Sequence, residues 1–100
     1  MKIYIAGKIS GLPFHEVKLK FHIAYLALKS NNHEPINPLV VSLYHEDKEW
    51  KDYMISGIKA LLYCDSIFML SDWKESKGAI LEHEIASKLG LRIFYEVVKL

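Results

Sequence analysis

Cysteine and arginine each occur once in the 100-residue chain, as Cys64 and Arg92. A lone cysteine excludes an intramolecular disulfide and fits a reducing compartment. A structural zinc site wants several Cys or His ligands at tight spacing, and no such cluster is present. His83-Glu84 starts like a zinc-peptidase helix, but Ser87 stands where the second His would fall. His45-Glu46-Asp47 reads as a solvated turn rather than a metal site. The 13 basic residues meet 12 acidic ones, for a formal net charge of +1. Surfaces that track a nucleic-acid polymer carry a clear basic excess, and base readers favour arginine, so no nucleic-acid polymer is expected as partner. No apolar run nears the roughly 18–20 residues of a membrane span. Met1-Lys2-Ile3-Tyr4-Ile5 is too short an apolar stretch for a signal peptide. The expectation is a cytoplasmic protein with no membrane partner.

What is present is an ordinary globular composition, 51% hydrophobic and 25% charged, which excludes intrinsic disorder and low-complexity polymers. The length suits one domain spanning residues 1–100. Short apolar runs alternate with longer amphipathic ones. Lys2 to Ala6 reads as a buried strand ended by Gly7, and Pro13 suits the start of a helix over residues 14–30. That helix has two apolar stripes. Phe14, Val17, Phe21, Ala24 and Leu28 form one, and Leu19, Ile23, Leu26 and Ala27 form the other. The second stripe predicts either a subunit interface or a contact with another helix of the chain. His33 to Asn37 is a short strand that Pro35 assigns to a sheet edge. Pro38 to Lys48 reads as a connecting segment, and residues 49–63 as a second long helix with Trp50, Tyr53, Met54, Ile58, Leu61 and Leu62 on its apolar side. Ser66 to Leu70 is a strand, Ser71 to Lys77 a polar loop, Gly78 to Gly90 a third helix and Leu91 to Val97 a last strand. The order β-α-β-α-β-α-β predicts a mostly parallel sheet of four to five strands with helices on both faces, a three-layer α/β/α sandwich. Ligands of such sheets bind beyond the carboxyl ends of the strands, here the loops after Ala6, Asn37 and Leu70.

One residue breaks the pattern. Glu82 falls on the apolar line of the third helix, three before Ile85 and four before Ala86. A buried carboxylate costs several kcal/mol unless it is paired or neutralised. No arginine lies nearby in sequence to pair with it, so Glu82 is a candidate functional acid facing the ligand crevice. Gly78-Ala79 lets a ligand come close to the helix start, and Ser76 is a plausible N-cap whose helix could hold an anion. Gly7-Lys8-Ile9-Ser10-Gly11 sits where phosphate loops occur, but it matches neither the Walker nor the dinucleotide spacing.

These residues resemble the nucleoside 2-deoxyribosyltransferase-like superfamily, and within it small phage and bacterial members of unassigned function. The resemblance spans nearly the whole chain. It rests on Ile3-Tyr4-Ile5-Ala6-Gly7 with Ser10-Gly11, Asn37-Pro38, Trp50 with Tyr53-Met54, Cys64-Asp65-Ser66-Ile67, and Ser76-Lys77-Gly78-Ala79 followed by Glu82, Ala86 and Gly90. It implies a flavodoxin-like or Rossmann-like sheet. It also implies an N-glycosidase or deoxyribosyltransferase acting on nucleosides or nucleoside 5′-monophosphates, with Glu82 as the nucleophile. No cofactor is called for, and relatives suggest a homo-oligomer, dimeric or higher. By the same resemblance Tyr4 contacts the nucleophilic carboxylate, Ser76 meets a 5′-phosphate, and Gly7 to Gly11 line the sugar and phosphate side; Gly78 is a substrate-binding candidate as the small residue at the helix start. Asp72 is the nearest acid in sequence for protonating the leaving base, and Trp73 could stack on that base. Gly57 stands where relatives carry Asp. Either Asp72 or another group substitutes for it, or the chain is a catalytically impaired nucleotide-binding module on the same fold.

Overall fold

The computed structural model describes residues 1–42 and 50–97. The His45-Glu46-Asp47 turn lies outside the described residues. Four strands are described, β1 (Lys2–Ala6), β2 (Glu34–Ile36), β3 (Ser66–Met69) and β4 (Arg92–Tyr95), in the order β2-β1-β3-β4 with every pairing parallel. Helix α1 (Phe14–Ser30) connects β1 to β2, α2 (Pro38–Ser42) and α3 (Trp50–Leu62) lead from β2 to β3, and α4 (Lys77–Leu89) joins β3 to β4. Right-handed crossovers fix the layers. The β1–β2 step runs one way across the sheet and the β2–β3 and β3–β4 steps run the other, so α1 covers one face while α3 and α4 cover the other. The three-layer sandwich expected from the alternation of elements is therefore the fold.

Period-two alternation in the strands feeds both layers. Tyr4, Ala6, Ile67 and Met69 point to the α3–α4 face and pack with Leu61, Ala79 and Ala86. Ile5 and Leu70 point the other way, onto Val17, Phe21 and Ala24 of α1. Each large apolar side chain so buried contributes about 1.5–3 kcal/mol. The outer stripe of α1 has no cover among the described residues: Leu19, Ile23 and Leu26 are 59%, 57% and 51% exposed. Of the two expectations for that stripe, contact with another helix of the chain is thus not met by any helix among the described residues. Leu62, assigned to the apolar side of its helix, is exposed as well.

The segment read as a plain connection after Asn37 opens with the one-and-a-half turns of α2. Pro38 supplies a preset φ at its first position, and the Asn37 side chain caps it by accepting the Leu39 N–H at 3.0 Å. Helix α4 is capped at both ends. The Ser76 hydroxyl accepts the Ala79 N–H at 3.1 Å, and Gly90 closes it in the left-handed region at φ 73°. No helix among the described residues is long and apolar enough to cross a membrane.

The Ser66 hydroxyl, at the start of β3, is fully buried and has no hydrogen-bond partner among the described residues. Ser66→Ala removes that desolvated group, so a gain of about 1 kcal/mol is expected in urea denaturation. A loss instead would show that a buried water satisfies the hydroxyl.

Candidate active site

The chain leaves β1 toward α1 on one face of the sheet and leaves β3 toward α4 on the other. The crevice at this switch point holds a cavity of about 260 Å³. Its walls are the loop after β1 (Gly7, Ile9, Ser10, Gly11, Leu12), the start of α2, the first turns of α3 (Trp50, Tyr53, Met54) and the start of α4 (Ser76, Gly78, Ala79). Tyr4 and Glu82 form its floor. A second hollow of about 370 Å³ shares Ser10, Trp50, Ser76 and Gly78 with it and adds Lys8, Glu75 and Lys77.

Glu82 is 7% exposed, and among the described residues no cation pairs with it. Among the described residues its hydrogen-bond partner is Tyr4, whose hydroxyl donates to Oε2 at 2.5 Å. Burial drives the carboxyl pKa up, the Tyr4 hydrogen bond pulls it partly back, and it stands at about 7. The Tyr4 phenol is pushed well above its usual range by burial first and by the adjacent carboxylate second. Tyr4 therefore stays a neutral donor while Glu82 titrates at physiological pH. The Cys64 thiol is pushed up to about 11, mainly by burial, and donates to the Ala60 carbonyl, so it is inert at neutral pH.

Gly57 explains how this pair fits. It lies on α3 directly over the pair, and a Cβ there would sit 2.6 Å from the Tyr4 hydroxyl and 2.9 Å from Glu82 Oε2. The space of the missing side chain is filled by the Tyr4–Glu82 contact itself. Gly57→Ala overpacks a buried site, with an expected loss of about 1–3 kcal/mol in urea titration. It should also move the Glu82 ionisation followed by carboxyl ¹³C NMR. An unchanged titration would show that the contact does not depend on the glycine.

The structure brings together Tyr4, Gly7, Ile9, Ser10, Gly11, Ser76, Gly78 and Glu82, and it places Lys8 in the adjoining hollow. It does not bring in Asp72 or Trp73. Among the described residues neither lines the cavity. Asp72 accepts the Lys8 backbone N–H at 3.1 Å and pairs with Lys20 at 2.5 Å. Trp73 lies in a 3-10 turn (Trp73–Glu75) and stacks on His83 with ring centroids 4.3 Å apart, while His83 Nε2 meets the Tyr95 hydroxyl at 2.7 Å. Trp73 thus packs within the protein. Besides Tyr4 and Phe21, the aromatic side chains lining the cavity are Trp50 and Tyr53, which the sequence places on the apolar side of a helix and among the residues of the resemblance, with no site role of their own. The available signal was the crowding of Trp50, Tyr53 and Met54 into the first turns of α3, beyond what covering the sheet requires.

A family model described as a domain of unknown function (DUF4406) matches residues 1–95. Among curated proteins no sequence matches. Among solved structures the chain is similar to a 2-deoxyribosyltransferase from the psychrotolerant bacterium Bacillus psychrosaccharolyticus, described as a biocatalyst for nucleoside synthesis. The TM-score is 0.71 at 16% sequence identity, over 99% of this chain and 77% of that chain. At that identity the likeness establishes a shared fold and nothing finer.

Proposed function

The chain belongs to the DUF4406 family, and from that premise we propose that it cleaves or exchanges the N-glycosidic bond of nucleosides or nucleoside 5′-monophosphates, with Glu82 as nucleophile. The observation that carries this reading is the buried Glu82 carboxyl on the floor of the switch-point cavity, bonded by Tyr4 and paired with no cation among the described residues. The fold shared with a 2-deoxyribosyltransferase supports it.

The chemistry follows from the groups present. An ionised Glu82 oxygen attacks C1′, and the C1′–N bond breaks with its electron pair leaving on the base. The transition state is oxocarbenium-like, and a glycosyl ester of Glu82 results. Water then attacks C1′, the C1′–O bond to Glu82 breaks with its electron pair on the carboxylate and the water's proton passes to solvent, which is hydrolysis; a second base attacking through a ring nitrogen, with loss of that nitrogen's proton, completes transfer. Tyr4 orients Glu82 and stabilises its charged form. Among the described residues Glu82 is the only carboxylate lining the main cavity; the leaving base takes up a proton from solvent. Trp50 and Tyr53 form the base side, and Ser10 with Gly7 to Gly11 the sugar side. Ser76, Lys8 and Lys77 offer donors and positive charge for a 5′-phosphate in the adjoining hollow. The exposed stripe Leu19, Ile23 and Leu26 supports a homo-oligomer.

The test is a panel of ribo- and deoxyribonucleosides and their 5′-monophosphates, followed for free base by chromatography with Glu82→Gln as control. Base release that needs Glu82 is expected. Release only with an added acceptor base would make the protein a transferase. Binding without release from any substrate would overturn the enzymatic reading in favour of a nucleotide-binding module.

A further inference from the structure

We infer that Lys20 and Asp72 are positioning residues that lock the loop after β1 into one rigid wall of the cavity, an inference that rests on the proposed function in assigning that wall to the substrate. A single ion pair grips one residue of the loop on both sides of its backbone. Asp72 Oδ1 accepts the Lys8 N–H at 3.1 Å, Asp72 Oδ2 meets Lys20 Nζ at 2.5 Å, and the same Nζ donates to the Lys8 carbonyl at 2.6 Å. Three segments meet in this brace: the loop after β1, helix α1 and the turn after β3.

Both charged side chains are sheltered, 24% and 21% exposed, so the pair is less screened than a surface salt bridge and its bonds are charge-assisted. The residues that need holding come next. Ile9, Ser10 and Gly11 follow Lys8 directly and line the cavity. The loop is also intrinsically loose, because it runs between Gly7 and Gly11, and Gly11 adopts φ 83°. A loop ordered before the ligand arrives spares the ligand that ordering cost, so breaking the brace weakens binding. Glu82 stands on α4, outside the brace, and its chemistry is untouched. The brace therefore acts on KM and leaves kcat.

The test uses the full chain with Lys20→Met and Asp72→Asn, singly and together, and Lys20→Arg as the conservative variant. The first readout is amide hydrogen exchange without any ligand. Either single variant is expected to speed exchange over Lys8 to Gly11 by about tenfold or more, as loss of a charged hydrogen bond implies. The double variant should add little, because the two residues act as one unit. Amides of Ile3 to Ala6 should not change. The second readout is steady-state kinetics on whichever nucleoside the wild type cleaves: KM up about tenfold, kcat within about twofold, and recovery in Lys20→Arg. Unchanged loop exchange overturns the inference. So does a loss of kcat in Asp72→Asn that Lys20→Met does not share, which would return Asp72 to a proton-donor role. Absence of turnover in the wild type would sink the glycosidic reading alone, with ligand-free exchange still deciding for or against the brace.

Discussion

Glu82→Gln is expected to cut base release by more than about a thousandfold while the protein folds and keeps its cavity. The substitution preserves the shape of the side chain and its acceptor oxygen for Tyr4, and it removes the one property the proposed mechanism needs, an oxygen that can carry a negative charge to C1′. Loss of turnover without loss of fold would therefore isolate the nucleophile from the scaffold. The pH dependence of the wild type supplies an internal control. A carboxyl that ionises at about 7 is half competent at neutral pH, so kcat/KM should rise as pH increases through 7 and level off above it. Retained turnover in Glu82→Gln, or a flat profile between pH 6 and 8, would remove Glu82 from the reaction.

Glu82 was legible in the sequence because a helix has a strict period: a carboxylate three before Ile85 and four before Ala86 must share their buried face. The strands were legible for a similar reason. Lys2 to Ala6 and Ser66 to Met69 are short, apolar and closed by turn residues. Asp72 and Trp73 were misplaced because sequence nearness to α4 says nothing about the direction in which a loop turns. The 3-10 turn at Trp73–Glu75 sends Trp73 onto His83 and leaves Asp72 facing Lys20, a residue 52 positions away. Helix α2 was hidden by its length and by Val40 and Val41, which favour extended backbone, although Asn37-Pro38 carried its capping signal. The space under Gly57 was illegible in principle. A glycine in a helical pattern reads as a weak point, and only the third dimension shows that Tyr4 and Glu82 occupy its missing side chain.

Stability is expected to fall as pH rises from about 4.5 to about 7, and Glu82→Gln is expected to abolish that fall. The carboxyl pKa is about 7 in the folded chain against 4.5 for an ordinary Glu, so between these values the folded state holds more protons than the unfolded one. Wherever that is so, raising the pH destabilises the fold. The contribution of a neutral Glu82 is fully present below pH 4.5, declines across the window and is gone above 7. A shift of this size corresponds to about 3 kcal/mol, at 1.36 kcal/mol per pKa unit. Glutamine has no proton to lose, so the difference in unfolding free energy between the two proteins isolates this one group from every other titration. Urea denaturation at pH 4.5, 6 and 8 should show Glu82→Gln gaining on the wild type by about 3 kcal/mol from the lowest pH to the highest. A constant difference across that range would mean that Glu82 ionises normally in the folded protein. It would also mean that the cavity floor is wetter than its 7% exposure indicates. A gain that tracks the window would show a fold keeping a destabilising buried carboxylate at the one place where the proposed reaction uses it.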